Sequence, residues 1–141
     1  MFTTLAVIGM IALAVVILCF RDRQAWRDRN RKYLKTQADR SVLMDDYFCR
    51  KAGLDPETAA IIGIIRTNLA EPGVCDASRI YPGDSLADFG LDYDDDVAML
   101  VQKMGVIPGF TDYSFPLEDV NDVASFAKII LKMKQDAEPS L

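Results

Sequence analysis

The chain has 141 residues, half of them hydrophobic, a formal charge of −5, three cysteines and no histidine. The missing histidine excludes Ser-His and Cys-His nucleophile pairs, most zinc sites and the commonest general base. Charge is unevenly spread: residues 1–20 have no charged side chain, residues 21–40 have eight Lys/Arg against three acids, and residues 41–141 have eight against eighteen. That acidic body excludes a nucleic-acid surface, which needs a basic face.

In chain order, Thr3 to Phe20 is an uncharged run of 18 residues. As a helix it is about 27 Å long, close to the hydrocarbon thickness of a bilayer. A cleaved signal peptide would want positive charge before the run and small residues after it. Only M-F-T-T precedes it, and it ends in Ile17-Leu18-Cys19-Phe20. Leu18 before Cys19 is also a poor lipidation context. The basic collar that follows (R-D-R-Q-A-W-R-D-R-N-R-K-Y-L-K) favours a membrane span over a buried core helix. Positive charge so close to a span stays on the cytoplasmic side, so the expected topology is amino terminus outside and residues 21–141 in the cytoplasm of an inner-membrane protein. Trp26 and Tyr33 either mark the interface or sit on the helix as it leaves the bilayer. Helix-favouring residues continue to about Ala38.

The expected division is a transmembrane helix over 1–20, a basic juxtamembrane helix over 21–40, a helical domain over 41–135 and a disordered tail over 136–141. Ser41 to Gly53 reads as a short helix with Val42, Leu43, Tyr47 and Phe48 on one side. Asp55-Pro56-Glu57 is a helix start: carboxylate cap, proline at the first position, acid in the first turn. Ile61, Ile62, Ile65 and Leu69 then repeat at helical spacing to about Ala70. Glu71 to Leu91 is rich in turn residues, a loop long enough to expect a short helix within it. Ile80, Leu86 and Phe89 are its expected core residues.

Asp92 is expected to open and cap the next helix, which ends at Gly105, with Val97, Met99, Leu100, Val101 and Met104 as its apolar face. Phe110, Tyr113 and Phe115 are expected packing anchors in the irregular stretch that follows. Pro116 to Val120 makes one short turn. Asn121 caps a last helix carrying Val123, Phe126, Ile129, Ile130 and Met133. Nothing alternates with strand period for long, so the expected fold is an all-α bundle. Cys49 and Cys75 read as free thiols in a reducing compartment.

The acids Asp92, Asp94, Asp95 and Asp96 crowd one helix start. A calcium loop would need glycine at its sixth position and glutamate at its twelfth, where this chain has Val97 and Lys103. No metal site is expected. Acids in a first turn complement the helix dipole. The same cluster, with Tyr93, is also the expected binding surface for a basic protein partner.

The order of these elements, with the stretch Leu86-Ala87-Asp88-Phe89-Gly90-Leu91-Asp92, resembles the acyl carrier protein family over about residues 55–134. The stretch is similar to the family's L-x-D-L-G-x-D signature. The chain looks closer still to acidic carrier-like bacterial proteins in which the signature reads G-x-D-x-D-D. The resemblance implies a small helical bundle and, in true carriers, a serine after the aspartate that bears a phosphopantetheine arm. Here Tyr93 and Asp94 stand where carriers have serine and leucine, so the expectation is a carrier-like domain without the arm and without enzymatic activity. The alternative is a working carrier modified at Ser85, in Gly83-Asp84-Ser85-Leu86. Gly90 only five residues later disfavours the long helix that such a serine begins in carriers.

Overall fold

The computed structural model describes residues 2–70, 75–91, 93–111 and 115–138. Its elements are α1 (Phe2–Ala38), α2 (Asp45–Ala52), α3 (Ala59–Ala70), α4 (Asp94–Met104) and α5 (Val123–Ala137), joined by single turns of 3-10 helix. There is no strand among the described residues.

The apolar run and the basic collar form one unbroken helix, α1, about 55 Å long at the usual rise. By length and composition it can cross a membrane. Residues 2–29 of α1 are exposed, so a row of Leu, Ile, Val and Phe side chains meets no partner within the fold. An apolar surface of that size needs lipid or protein around it.

The remaining helices enclose one core. Phe48 from α2, Ile62 and Ile65 from α3, Val97 and Val101 from α4, and Val123, Phe126 and Ile130 from α5 are all shut from solvent, together with Ile80 and Phe115 from the connections. Each such side chain contributes roughly 1.5–3 kcal/mol relative to exposure. The rings of Phe115 and Phe126 meet edge to face, with centroids 5.4 Å apart. Asp55 caps the turn Pro56–Thr58 by accepting from the Glu57 N–H, and α3 follows without a break. Gly53 and Gly105 end α2 and α4 in the left-handed conformation, as expected.

Several expectations change. Ser41 to Met44 is not helical, and α2 starts only at Asp45. Val42 and Tyr47 are exposed, and the buried face of this segment is Leu43, Phe48, Cys49 and Ala52. Met99 is exposed, because Ala98 and not Met99 lies beside Val97 and Val101 on the buried face of α4. Asp122, not Asn121, caps α5: its carboxylate accepts from the Ser125 N–H at 2.8 Å, and the Ser125 hydroxyl accepts from the Asp122 N–H at 2.9 Å. Helix α5 runs on through Asp136 and Ala137, where a disordered tail was expected, and a Lys134–Glu138 ion pair joins its last turn to the cap. Tyr113 lies outside the described residues, as do Glu71 to Val74 and the final three positions.

Candidate functional site

The acidic start of α4 was the expected binding surface. Asp92, the expected cap, lies outside the described residues. Tyr93 occupies the cap position in extended conformation and makes no side-chain cap hydrogen bond. Tyr93 is 67 % exposed. Asp94, Asp95 and Asp96 fill the first turn and are all exposed. The Asp96 N–H donates to Asp95 Oδ1 at 3.1 Å, so these carboxylates also satisfy helix-start donors. Met99, 68 % exposed, stands one turn further on. Beside it an open depression is lined by Leu91, Met99 and Leu100, with Asp96 and Lys103 at its edge. Exposed acids next to exposed apolar side chains therefore share one face of the domain.

Ser85 caps the turn Leu86–Phe89. Its hydroxyl accepts from the Ala87 N–H, and the Asp88 carboxylate accepts from the Ser85 N–H, which closes a capping box. Burial raises the Asp88 pKa. Gly90 ends this turn at φ 75°. A Cβ there would stand 2.5 Å from Nε1 of Trp26 on α1, so both the backbone and the close approach require glycine.

That approach belongs to a junction which composition and periodicity did not reveal. Asp84, 6 % exposed, accepts at Oδ2 from the Tyr33 hydroxyl (2.8 Å), Arg40 Nη1 (2.7 Å) and the Tyr81 N–H (2.9 Å). Gln37 pairs with the backbone of Asp76 in both directions, Nε2 donating to its carbonyl at 3.0 Å and Oε1 accepting from its N–H at 2.9 Å. The Tyr33 ring meets Phe89 edge to face at 5.0 Å. Arg40 and Lys51 both lie against the Tyr81 ring. The carbonyls of Pro82 and Asp84 in turn accept from the Ala124 and Val123 N–H groups at the start of α5.

The apparent attachment motif Gly83-Asp84-Ser85-Leu86 is thus the knot that ties α1, the long loop and α5 together. Burial first, then the Asp84 charge, raises the Tyr33 pKa, and the hydrogen bond to Asp84 raises that of Arg40. The hydroxyl of Ser78 holds Asp76 below the usual carboxylate range. The legible signal was the spacing Trp26, Tyr33, Gln37: it places all three on one side of α1, in a stretch otherwise occupied by charge.

The cysteines are free, with Cys49 buried and Cys75 half-buried, and burial pushes the Cys75 thiol up. No cluster of metal-binding side chains occurs among the described residues. The fold and site define an all-helical domain fixed to a helix long and apolar enough to span a membrane. Comparison with family models, curated proteins and solved structures finds no match to the chain.

Proposed function

We propose that the protein is a single-pass inner-membrane protein whose carrier-like domain, lacking the phosphopantetheine serine, works in the cytoplasm as a protein-interaction module rather than an enzyme. Residues 3–20 sit in the bilayer, and the basic collar keeps the domain on the cytoplasmic side. The observation that carries the reading is the shared face of α4: Tyr93, Asp94, Asp95, Asp96 and Met99 are all exposed beside the Leu91–Leu100 depression. Acids steer a basic partner to the domain and the apolar side chains give it a place to anchor.

The Asp94→Asn, Asp95→Asn, Asp96→Asn triple variant, used as bait in solubilised membranes, should lose a partner that the parent chain retains at low salt and releases at high salt. A basic partner held equally by both proteins, or held independently of salt, is the outcome that sinks this reading. Topology is tested by tags: protease added outside should cut an amino-terminal tag and spare a carboxyl-terminal one. The working-carrier alternative keeps one point in its favour, the exposed position of Ser85. Incubation with coenzyme A and a phosphopantetheinyl transferase should leave the intact mass unchanged. A mass gain that vanished in Ser85→Ala would establish the alternative.

A further inference from the structure

Past Phe20, α1 has two unlike faces. At about 100° per residue, Trp26, Tyr33 and Gln37 fall within roughly 40° of one another, and the domain packs on that side. Arg27, Arg31 and Lys35 recur at i, i+4 and i+8 and lie roughly 120–200° round the helix from Tyr33. All three are exposed. None of them forms an ion pair among the described residues, whereas Arg40, on the domain side, is paired with Asp84. Asp28 is the one acid on this face between Arg21 and Lys35. The uncovered face is thus a cationic stripe about 12 Å long. Counted from Phe20, where the uncharged run ends, Arg27 stands about 10 Å, Arg31 about 16 Å and Lys35 about 22 Å along the axis. The headgroup layer is only about 5–7 Å thick on each side, so Arg31 and Lys35 rise clear of lipid.

We propose that this face of α1 binds the acidic domain of a second copy of the chain, with Arg27, Arg31 and Lys35 of one copy set against Asp94, Asp95 and Asp96 of another. Resting on the reading of the α4 face as a docking surface, this makes the collar of a neighbouring copy its basic partner. The charge complementarity is contained within the chain: residues 21–40 have eight Lys/Arg against three acids, and residues 41–141 have eight against eighteen. The domain of the same copy is held on the other side of α1 by Tyr33, Gln37 and Arg40, and it leaves the stripe uncovered. Copies anchored in one membrane share one orientation, so equal positions on α1 stand at equal heights. A Cβ on Gly90 would meet Trp26, and Asp96 lines the same depression as Gly90, which sets the acidic turn near the level of Trp26. Arg27 and Arg31 of a neighbouring copy stand at that level too. The Leu91–Leu100 depression beside the acids accepts the aliphatic stems of the arginines. Exposed ion pairs are individually weak and screened by salt, and confinement to one membrane supplies the effective concentration they need.

The test uses the full chain, labelled with a donor or an acceptor fluorophore at its carboxyl terminus, in phosphatidylcholine vesicles. Energy transfer between copies should exceed the random-mixing level set by lipid dilution, and should fall to that level at high salt. The Arg27→Glu, Arg31→Glu, Lys35→Glu variant by itself should show only random mixing, and so should the Asp94→Lys, Asp95→Lys, Asp96→Lys variant by itself. Mixed with each other, the two variants should regain transfer, because their reversed faces and their retained faces are then both complementary. If the glutamate variant does not insert, Arg27→Gln, Arg31→Gln, Lys35→Gln carries the test through its loss of transfer. Random mixing of the parent chain overturns the proposal, and so does transfer that survives high salt or persists in the α1 variant. A mixed pair of variants that stays at the random level overturns it as well. Loss of parent transfer in vesicles containing phosphatidylglycerol would assign the stripe to anionic headgroups and has the same consequence. If copies do not associate while the α4 acids still hold a salt-sensitive partner from solubilised membranes, only the pairing of copies is refuted; if neither is seen, the docking role of the α4 face fails too.

Discussion

The junction around Asp84 and the start of α4 both rest on aspartate, in opposite surroundings. Asp84 is buried and accepts from three donors on two parts of the chain. Asp94, Asp95 and Asp96 are exposed, and among the described residues only the Asp95 carboxylate of the three accepts from a backbone N–H. Removing water from around Asp84 makes its hydrogen bonds strong and its loss costly. Leaving water around the other three makes each of them nearly neutral for folding and available to a partner. The same side chain thus fixes architecture in one place and stays in solvent in the other.

The largest expected effect tests the buried side of that contrast. Asp84→Asn leaves Arg40 without its ionic partner and Tyr33 without a charged acceptor, and should cost about 3 kcal/mol in urea unfolding of the micelle-bound chain. A loss under about 1 kcal/mol would mean that the junction is not a folding element. Gly90→Ala comes next, at roughly 2 kcal/mol, because it combines a positive φ with a clash against Trp26. If Trp26→Ala fails to recover part of that loss, the clash is not its source.

Tyr33→Phe removes one charge-assisted hydrogen bond and should cost about 1.5 kcal/mol. It also carries a pH signature. Tyr33 ionises at a higher pH in the folded protein than in the unfolded chain. Its contribution is therefore complete below the unfolded value, near pH 10, and is lost as pH rises above it. The parent chain should lose stability above about pH 10 more steeply than Tyr33→Phe does. Parallel curves for the two proteins would contradict the buried, neutral phenol.

The smallest expected effect lies on the exposed side. Changing Asp94, Asp95 and Asp96 together to asparagine should alter stability by less than about 1 kcal/mol, since each gives up only a screened interaction with the helix dipole. A loss as large as that of Asp84→Asn would make the cluster structural and erase the contrast.

Local signals were legible wherever local physics decides. The Asp55-Pro56 start and the glycine ends of α2 and α4 depend on backbone geometry within a few residues, and they fell as expected. Apolar periodicity correctly gave Ile62, Ile65 and Leu69 as core. It failed for Met99, Val42 and Tyr47, because periodicity finds an apolar stripe but not which edge of the stripe a neighbour covers. The cap of α5 moved from Asn121 to Asp122 because two loop carbonyls, of Pro82 and Asp84, hold the first N–H groups of that helix and set its start. No single stretch of sequence contains that information.

The sequence by itself determined the division of the chain: an uncharged helix of membrane-spanning length, a basic collar, and an acidic helical domain. Hydropathy, charge and helix-end chemistry act over short distances and are written in consecutive residues. Only the tertiary structure decided how collar and domain meet, because Tyr33 and Asp84 are 51 positions apart and their bond exists only once both are withdrawn from water. It also decided what the Gly83-Asp84-Ser85-Leu86 stretch is. Burial of Asp84 makes that stretch a structural knot, while Asp94, Asp95 and Asp96 at the start of α4 stay exposed.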